Sequence, residues 1–174
     1  AAVSLNACVH HICSEWCAQS ASQHQLRMHL CEPDVVVRFD PEHLRRVLVN
    51  LLDNARRYAS QQMGAIQVRT VTDDSLRATV DVWSDGAPLD PSIQRHLFEP
   101  FFSSESRSSG LGLYICRELC EGHRATISYQ RSERTMGNTT TTGNEFAVTL
   151  QRPRSSENAS LADLPTTPWQ TSLY

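Results

Sequence analysis

Asn50, Asn54, Arg57 and Tyr58 follow one another at intervals of four, three and one. On a helix the two carboxamides and the guanidinium share a face, with the phenol one turn beyond Asn54. Each Asn costs roughly half a kcal/mol of helix propensity relative to Ala, so a use for the pair is expected. Two uses stand open. The groups can form a polar rim that hydrogen-bonds neighbouring loops, or they can form a metal-nucleotide face. An amide oxygen is a hard ligand suited to Mg²⁺, and arginine supplies charge for phosphate oxygens. Gly110 and Gly112, in SGLGL at 109–113, offer a complementary part. Glycines before a helix let the backbone approach a phosphate, and the helix N-terminus presents unpaired amides with a partial positive charge.

Other stretches carry chemistry less securely. SDGAPLD, 84–90, is a turn rich in breakers, in which Ser84 or Asp85 either closes its own Asx-type bond or faces a ligand. LFEPFF, 97–102, gathers Phe98, Phe101 and Phe102 in a Pro-punctuated stretch that also reads as a core plug under a loop. Cys8, Cys13, Cys17, Cys31, Cys116 and Cys120 invite a metal reading. They contain no C-x-x-C pair, and the pairs four apart sit beside apolar neighbours on predicted helices, so reduced core thiols are expected. His10 and His11 are expected on a helix surface.

The elements that must position these groups follow from periodicity. Leu44, Val47, Leu48, Leu51, Leu52 and Ala55 form a helical stripe within 40–60, with Asp40 as N-cap, Pro41 in the first turn and Glu42 beside it. A helix is expected over 3–19. Strands are expected over 25–31 and 35–39, joined at Glu32-Pro33-Asp34. A hairpin over 65–71 and 75–83 turns at Asp73-Asp74, and a short helix over 91–96 precedes the Phe cluster. A helix over 113–121 ends at Gly122. The last two strands are expected over 125–131 and 145–151, with 132–144 a polar loop. The tail 152–174 has no pattern able to pack and is expected to be flexible, with Trp169 a docking point.

With 174 residues the chain suits one domain. A net charge of −3 gives no nucleic-acid or membrane footprint. The basic residues are all Arg. The sequence holds no run of about 18 apolar residues and no evident signal peptide.

In their order and spacing, NLLDNARRY, SDGAPLD, LFEPFF and SGLGL resemble the N box, first glycine box, F box and second glycine box of sensor histidine kinases. These belong to the ATP-binding superfamily shared with gyrase, Hsp90 and MutL. The resemblance implies a two-layer α/β sandwich over residues 1–151, the Bergerat-type fold. A mixed, mostly antiparallel five-stranded sheet would pack on about three helices. It implies that Asn54 binds Mg²⁺, that Asn50 supports that shell, and that Arg57 and Arg107 meet phosphates. Asn50, Arg57 and Arg107 would be the catalytic set. Tyr58 would pack near the ATP, Gly110 and Gly112 would cradle it, and Gly86, Leu89, Phe98, Phe102, Leu111 and Leu113 fall in the same nucleotide-binding boxes. A lid over 103–109 would close on the nucleotide.

The match has departures. Ser84 stands on the family's adenine-binding Asp and Pro88 on its second glycine. Asp85 is the favoured substitute, because a carboxylate accepting from the adenine amine makes a charge-assisted bond. Glu105 replaces a lid Lys, which leaves Arg107 as the phosphate contact, and Ser108 replaces another Gly.

The implied function is to bind Mg-ATP and pass its terminal phosphoryl group to a histidine on a separate helical dimerisation and phosphoacceptor domain, with a response regulator downstream. None of His10, His11, His24 or His29 stands in an acceptor-box setting. The chain is therefore expected to be a cytoplasmic, monomeric fragment of a homodimeric kinase attached to the inner membrane by a sensor region. The wording resembles the nitrogen-regulation type, most of all the pilus-expression sensors. ATP hydrolases of the superfamily place a Glu general base where Asn50 stands, and an amide cannot take a proton from water. An anti-sigma-type protein kinase and a degenerate regulatory module are the remaining alternatives. Ser84, Glu105 and Ser108 are the grounds for the module.

Overall fold

The computed structural model describes residues 1–101 and 111–154. The organising helix forms as its stripe demands: α2 (Pro41–Tyr58), which follows β1 (Ala2–Ser4), α1 (Leu5–Ser20), β2 (Leu26–His29) and β3 (Val36–Arg38). Asp40 caps α2 by accepting from the amides of Glu42 and His43 at 2.9 and 3.1 Å. Leu44, Val47, Leu48, Leu51, Leu52 and Ala55 are all buried. At about 1.5–3 kcal/mol for each fully buried large aliphatic side chain, this stripe dominates the helix's stability over propensity.

The helix lies across a five-stranded sheet in the order β2-β4-β5-β7-β6, built with β4 (Ile66–Thr72), β5 (Arg77–Ser84), β6 (Thr126–Met136) and β7 (Thr139–Gln151). The β2–β4 pair is parallel and the others are antiparallel. Val68, Val80, Val82, Phe146, Val148 and Leu150 alternate onto one face and join a single core with α1, α2 and α4 (Gly112–Gly122). Cys8, Cys13, Cys17, Cys116 and Cys120 are buried in that core as free thiols, and Cys31 is half-buried. His10 is exposed, and His11 meets Glu15 at 3.2 Å one turn on. Among the described residues, no helix is long and apolar enough to cross a membrane.

The opposite face of the sheet is not bare. Asp81 and Glu145 are buried there, with Arg134 between them at 2.9 and 2.8 Å and Arg69 on Asp81 at 2.9 Å. Burial pushes the Asp81 carboxyl up, and the two guanidiniums offset part of that.

Several expectations are corrected. Residues 2–4 are a strand paired with β3, so α1 starts at Leu5 rather than Val3. The strands flanking Glu32-Pro33-Asp34 do not pair with each other: β2 joins the large sheet and β3 pairs with β1. The polar loop expected over 132–144 is instead the end of a long hairpin, Met136 facing Thr139 across Gly137-Asn138. Gly137 has φ +60°, which a two-residue hairpin turn requires, and β-branched Thr139–Thr142 suit a strand. The short helix α3 (Pro91–Gln94) stops two residues earlier than expected. Gly122 remains helical, and Arg124 instead takes the left-handed conformation at φ 57°.

Candidate nucleotide-binding site

The polar side of α2 meets both glycine stretches. A β-carbon placed on Gly112, the first residue of α4, would lie 3.6 Å from Asn50 Oδ1, so the carboxamide faces the helix start. Cys116, one turn further along α4, donates to the Val47 carbonyl at 3.7 Å. Burial holds this thiol up at about 12, with a smaller upward push from Cys120, and the Asn50 side chain bonding to it offsets little. At the C-terminal end of α2, a β-carbon on Gly86 would lie 3.1 Å from Tyr58 Cβ and 3.2 Å from the Tyr58 carbonyl oxygen. Glycine is therefore what lets the 84–90 turn close on Tyr58. The half-buried Asn50, Asn54 and Tyr58, with exposed Arg57, form one surface between these contacts.

A family model described as "Histidine kinase-, DNA gyrase B-, and HSP90-like ATPase" matches residues 39–154. The chain belongs to this ATPase family. Sensor protein kinase PilS of Pseudomonas aeruginosa is 38% identical over 133 residues, which are 75% of this chain and 24% of that protein. Sensory histidine kinase/phosphatase NtrB of Salmonella typhimurium is 33% identical over 99 residues, 52% of this chain and 28% of that protein. The chain thus spans about a quarter of the length of these curated relatives. Among solved structures, mycobacterial sensor histidine kinase MprB matches with a TM-score of 0.71 at 19% identity, over 88% of this chain and 99% of that one. The catalytic domain of histidine kinase ThkA matches with a TM-score of 0.71 at 22% identity, over 87% of this chain and 95% of that one. These likenesses show the fold, the five-stranded mixed sheet under its helices.

In this ATPase-family chain, the turn after β5 is clamped by residues that sequence reasoning missed. Asn144 donates to the Ala87 carbonyl at 3.0 Å and accepts from the Tyr129 hydroxyl and from Arg131. Arg131 also donates to the Gly86 carbonyl at 2.7 Å. Burial pushes the Tyr129 phenol up, so it stays a donor. Asn144 reaches this position because β7 pairs it with Ser84, a register no local spacing reports. Gly143 beside it is fixed by packing, since a β-carbon there would fall 2.0 Å from the Ser84 carbonyl oxygen and 2.6 Å from the Trp83 ring.

Ser84 is buried at the end of β5. Asp85 accepts from Ser60 at both carboxylate oxygens, the amide at 2.8 Å and the hydroxyl at 2.5 Å. This ties the turn, in which Asp85 was expected to face a base, to the second residue after α2. Phe98 packs edge-on against Phe146 with centroids 6.3 Å apart, while Phe101 is 78% exposed. The Phe stretch is thus split between core and surface. Leu89, Leu111 and Leu113 are half-buried around the same turn and helix start. Phe102, Arg107, Gly110 and the lid over 103–109, with Glu105 and Ser108, lie outside the described residues, as does Trp169.

Proposed function

We propose that this chain is the catalytic, ATP-binding part of a sensor histidine kinase, which positions Mg-ATP for transfer of its terminal phosphoryl group to a histidine on a separate helical domain. The observation that carries this reading is the Asn50 carboxamide set against the glycine start of α4. The donor set fits the group. Amide oxygens suit a hard cation, and the space that a side chain at Gly112 would fill lies where helix amides attract phosphate. Asn54 would hold Mg²⁺, Asn50 would orient that shell, and Arg57 with Arg107 would neutralise phosphate oxygens. Mg²⁺, when bound, supplies charge neutralisation on the phosphates. Tyr58, fixed against Gly86, would wall the nucleotide, and Ser84 with Asp85 would stand near the base.

Asn50 leaves the face without a carboxylate base at that position, which favours a donor for another molecule's histidine over a hydrolase. The relatives' names support the same reading, since PilS and NtrB are sensor kinases. On it, the whole protein is a homodimer at the inner membrane whose catalytic part faces the cytoplasm, with a response regulator downstream. Incubation of the chain with labelled ATP is expected to leave it unlabelled, whereas adding the kinase's own helical hairpin places acid-labile label on the hairpin's histidine. Brisk phosphate release without an acceptor would defeat this reading. One observation favours a lesser variant of it: with Asp85 held by Ser60, the base would be gripped less firmly than a dedicated carboxylate allows.

A further inference from the structure

At the far end of the sheet from the glycine turns lies a cavity of about 650 Å³. Helix α4 runs between the two regions, with Gly112 against Asn50 and Gly122 on the cavity wall. At 1.5 Å per residue that is a separation of about 15 Å. Its charged walls are Arg38 from the end of β3, Arg124 from the turn after α4, and Arg152 and Arg154 beyond β7, with the His123 imidazole beside Arg124. Four of the chain's 16 basic residues thus line one cavity, in a protein of net charge −3, and none of the described lining residues is acidic.

Acids do border the region, and two of them carry other hydrogen bonds: Asp40, which also acts on His123, and Asp74. Asp40 accepts from the amides that start α2. Asp74 accepts from the amides of Leu76 and Arg77 and faces the Arg77 guanidinium at 3.6 Å. Arg124 and Arg152 are held in place. The Arg152 amide donates to the Leu76 carbonyl at 2.8 Å, and one of its guanidinium nitrogens donates to the Asp74 carbonyl at 2.6 Å. Gln151 donates to the Arg124 carbonyl at 3.2 Å. Arg124 is held at φ 57°, which costs a residue with a β-carbon roughly 1 kcal/mol.

We propose that this cavity is an anion site that takes a small polyanion of the phosphate class, held by Arg124, Arg152 and Arg154. Guanidinium forks match phosphate oxygens in geometry and charge. The half-open cleft is of small-molecule size, and Leu76 is the one large apolar side chain among the described lining residues, so a ligand with a broad apolar body finds little to bury against. The site does not depend on the nucleotide reading.

The test is calorimetric titration of the whole chain with inorganic tripolyphosphate, without Mg²⁺. Saturable binding is expected, weakened roughly tenfold or more by Arg124→Gln with Arg152→Gln. Arg154 is exposed, so Arg154→Gln should weaken binding while leaving the thermal midpoint unchanged, which separates lost recognition from lost folding. Arg95→Gln, at an exposed residue that belongs to neither site, should leave binding as it is. Absence of binding at millimolar ligand, or binding abolished by Arg57→Gln and untouched by the cavity variants, would overturn the proposal.

Discussion

Gly86 and Gly112 do different work, and substitution separates them. A methyl group on Gly86 meets the Tyr58 carbonyl at 3.2 Å, backbone that cannot step aside cheaply. Gly86→Ala is therefore expected to lower both the thermal midpoint and ATP affinity. On Gly112 the same methyl meets only the end of the Asn50 side chain at an ordinary 3.6 Å. Gly112→Ala should leave the midpoint nearly unchanged while reducing ATP affinity, because on the proposed reading it occupies the space the phosphates would need; equal affinities in calorimetry would refute that. Asn54→Ala is expected to weaken ATP binding by about 1–3 kcal/mol in Mg²⁺, the scale of a lost contact to a charged partner. It should do less when Mg²⁺ is chelated. Asp85→Ala removes two hydrogen bonds to Ser60, so its loss of affinity should exceed that of Ser84→Ala. The reverse order would point to Ser84 as the base contact.

At the scale of elements, α1 shows how a helix end can be completed from afar. Ser4, in the N-cap place, makes no side-chain cap bond. The orphan amides of Asn6 and Ala7 are instead accepted by Asp34 at 2.8 and 3.3 Å. Asp34→Ala is expected to cost about 0.5–2 kcal/mol, the range for a lost cap, measurable by urea denaturation. The helices α1 and α2 are joined by Trp16 to Asp53 at 2.9 Å and by a bidentate Arg45–Glu15 pair at 2.9 and 2.7 Å. That pair holds the Glu15 carboxyl below its ordinary range. The pair is partly exposed, so its worth is small. The β6–β7 hairpin matters more for the site, since it delivers Asn144 and Arg131 to the carbonyls of Gly86 and Ala87.

For the whole molecule, pH dependence should come in part from the packing of α2 against the turn after α4. His123 stacks on Phe39 with centroids 4.2 Å apart and meets His43 at 2.8 Å. Burial, and then the charge of His43, hold His123 below its ordinary value of 6.5, with Asp40 opposing. The fold therefore prefers the neutral imidazole, while the unfolded chain takes up a proton near that ordinary value. The stability so contributed is present in full above it and is lost as pH falls through it. Thermal midpoints should drop between about pH 7.5 and 5.5, and His123→Gln should flatten the drop. On the sheet's other face, Asp81→Ala leaves Arg134 with Glu145 and the Ser132 hydroxyl and should cost about 3–5 kcal/mol, as removing one partner of a buried ion pair does.

The sequence by itself determined what rests on neighbours a few residues apart. The stripe and cap of α2, the shared face of Asn50, Asn54 and Arg57, and the alternation of Val80 and Val82 all follow from helix and strand periods. The family and its fold were legible from the four boxes in order. Tertiary structure alone decided what depends on which strands pair and in what register. Nothing local could send β2 to β4 and β3 to β1, because hydrogen-bonded edges carry no address in a strand's own side chains. Register also placed Asn144 beside Ser84 and left Gly143 no room for a side chain. The Gly137-Asn138 turn was a readable hairpin signal, obscured by the polar threonines around it. The hydrogen bonds from Ser60 to Asp85 were also invisible locally, because Ser60 lies 25 residues earlier. The arginine-lined cavity draws its walls from segments as far apart as Arg38 and Arg154. Such convergence comes from chain folding over a common core, which fixes distances that sequence separation does not contain.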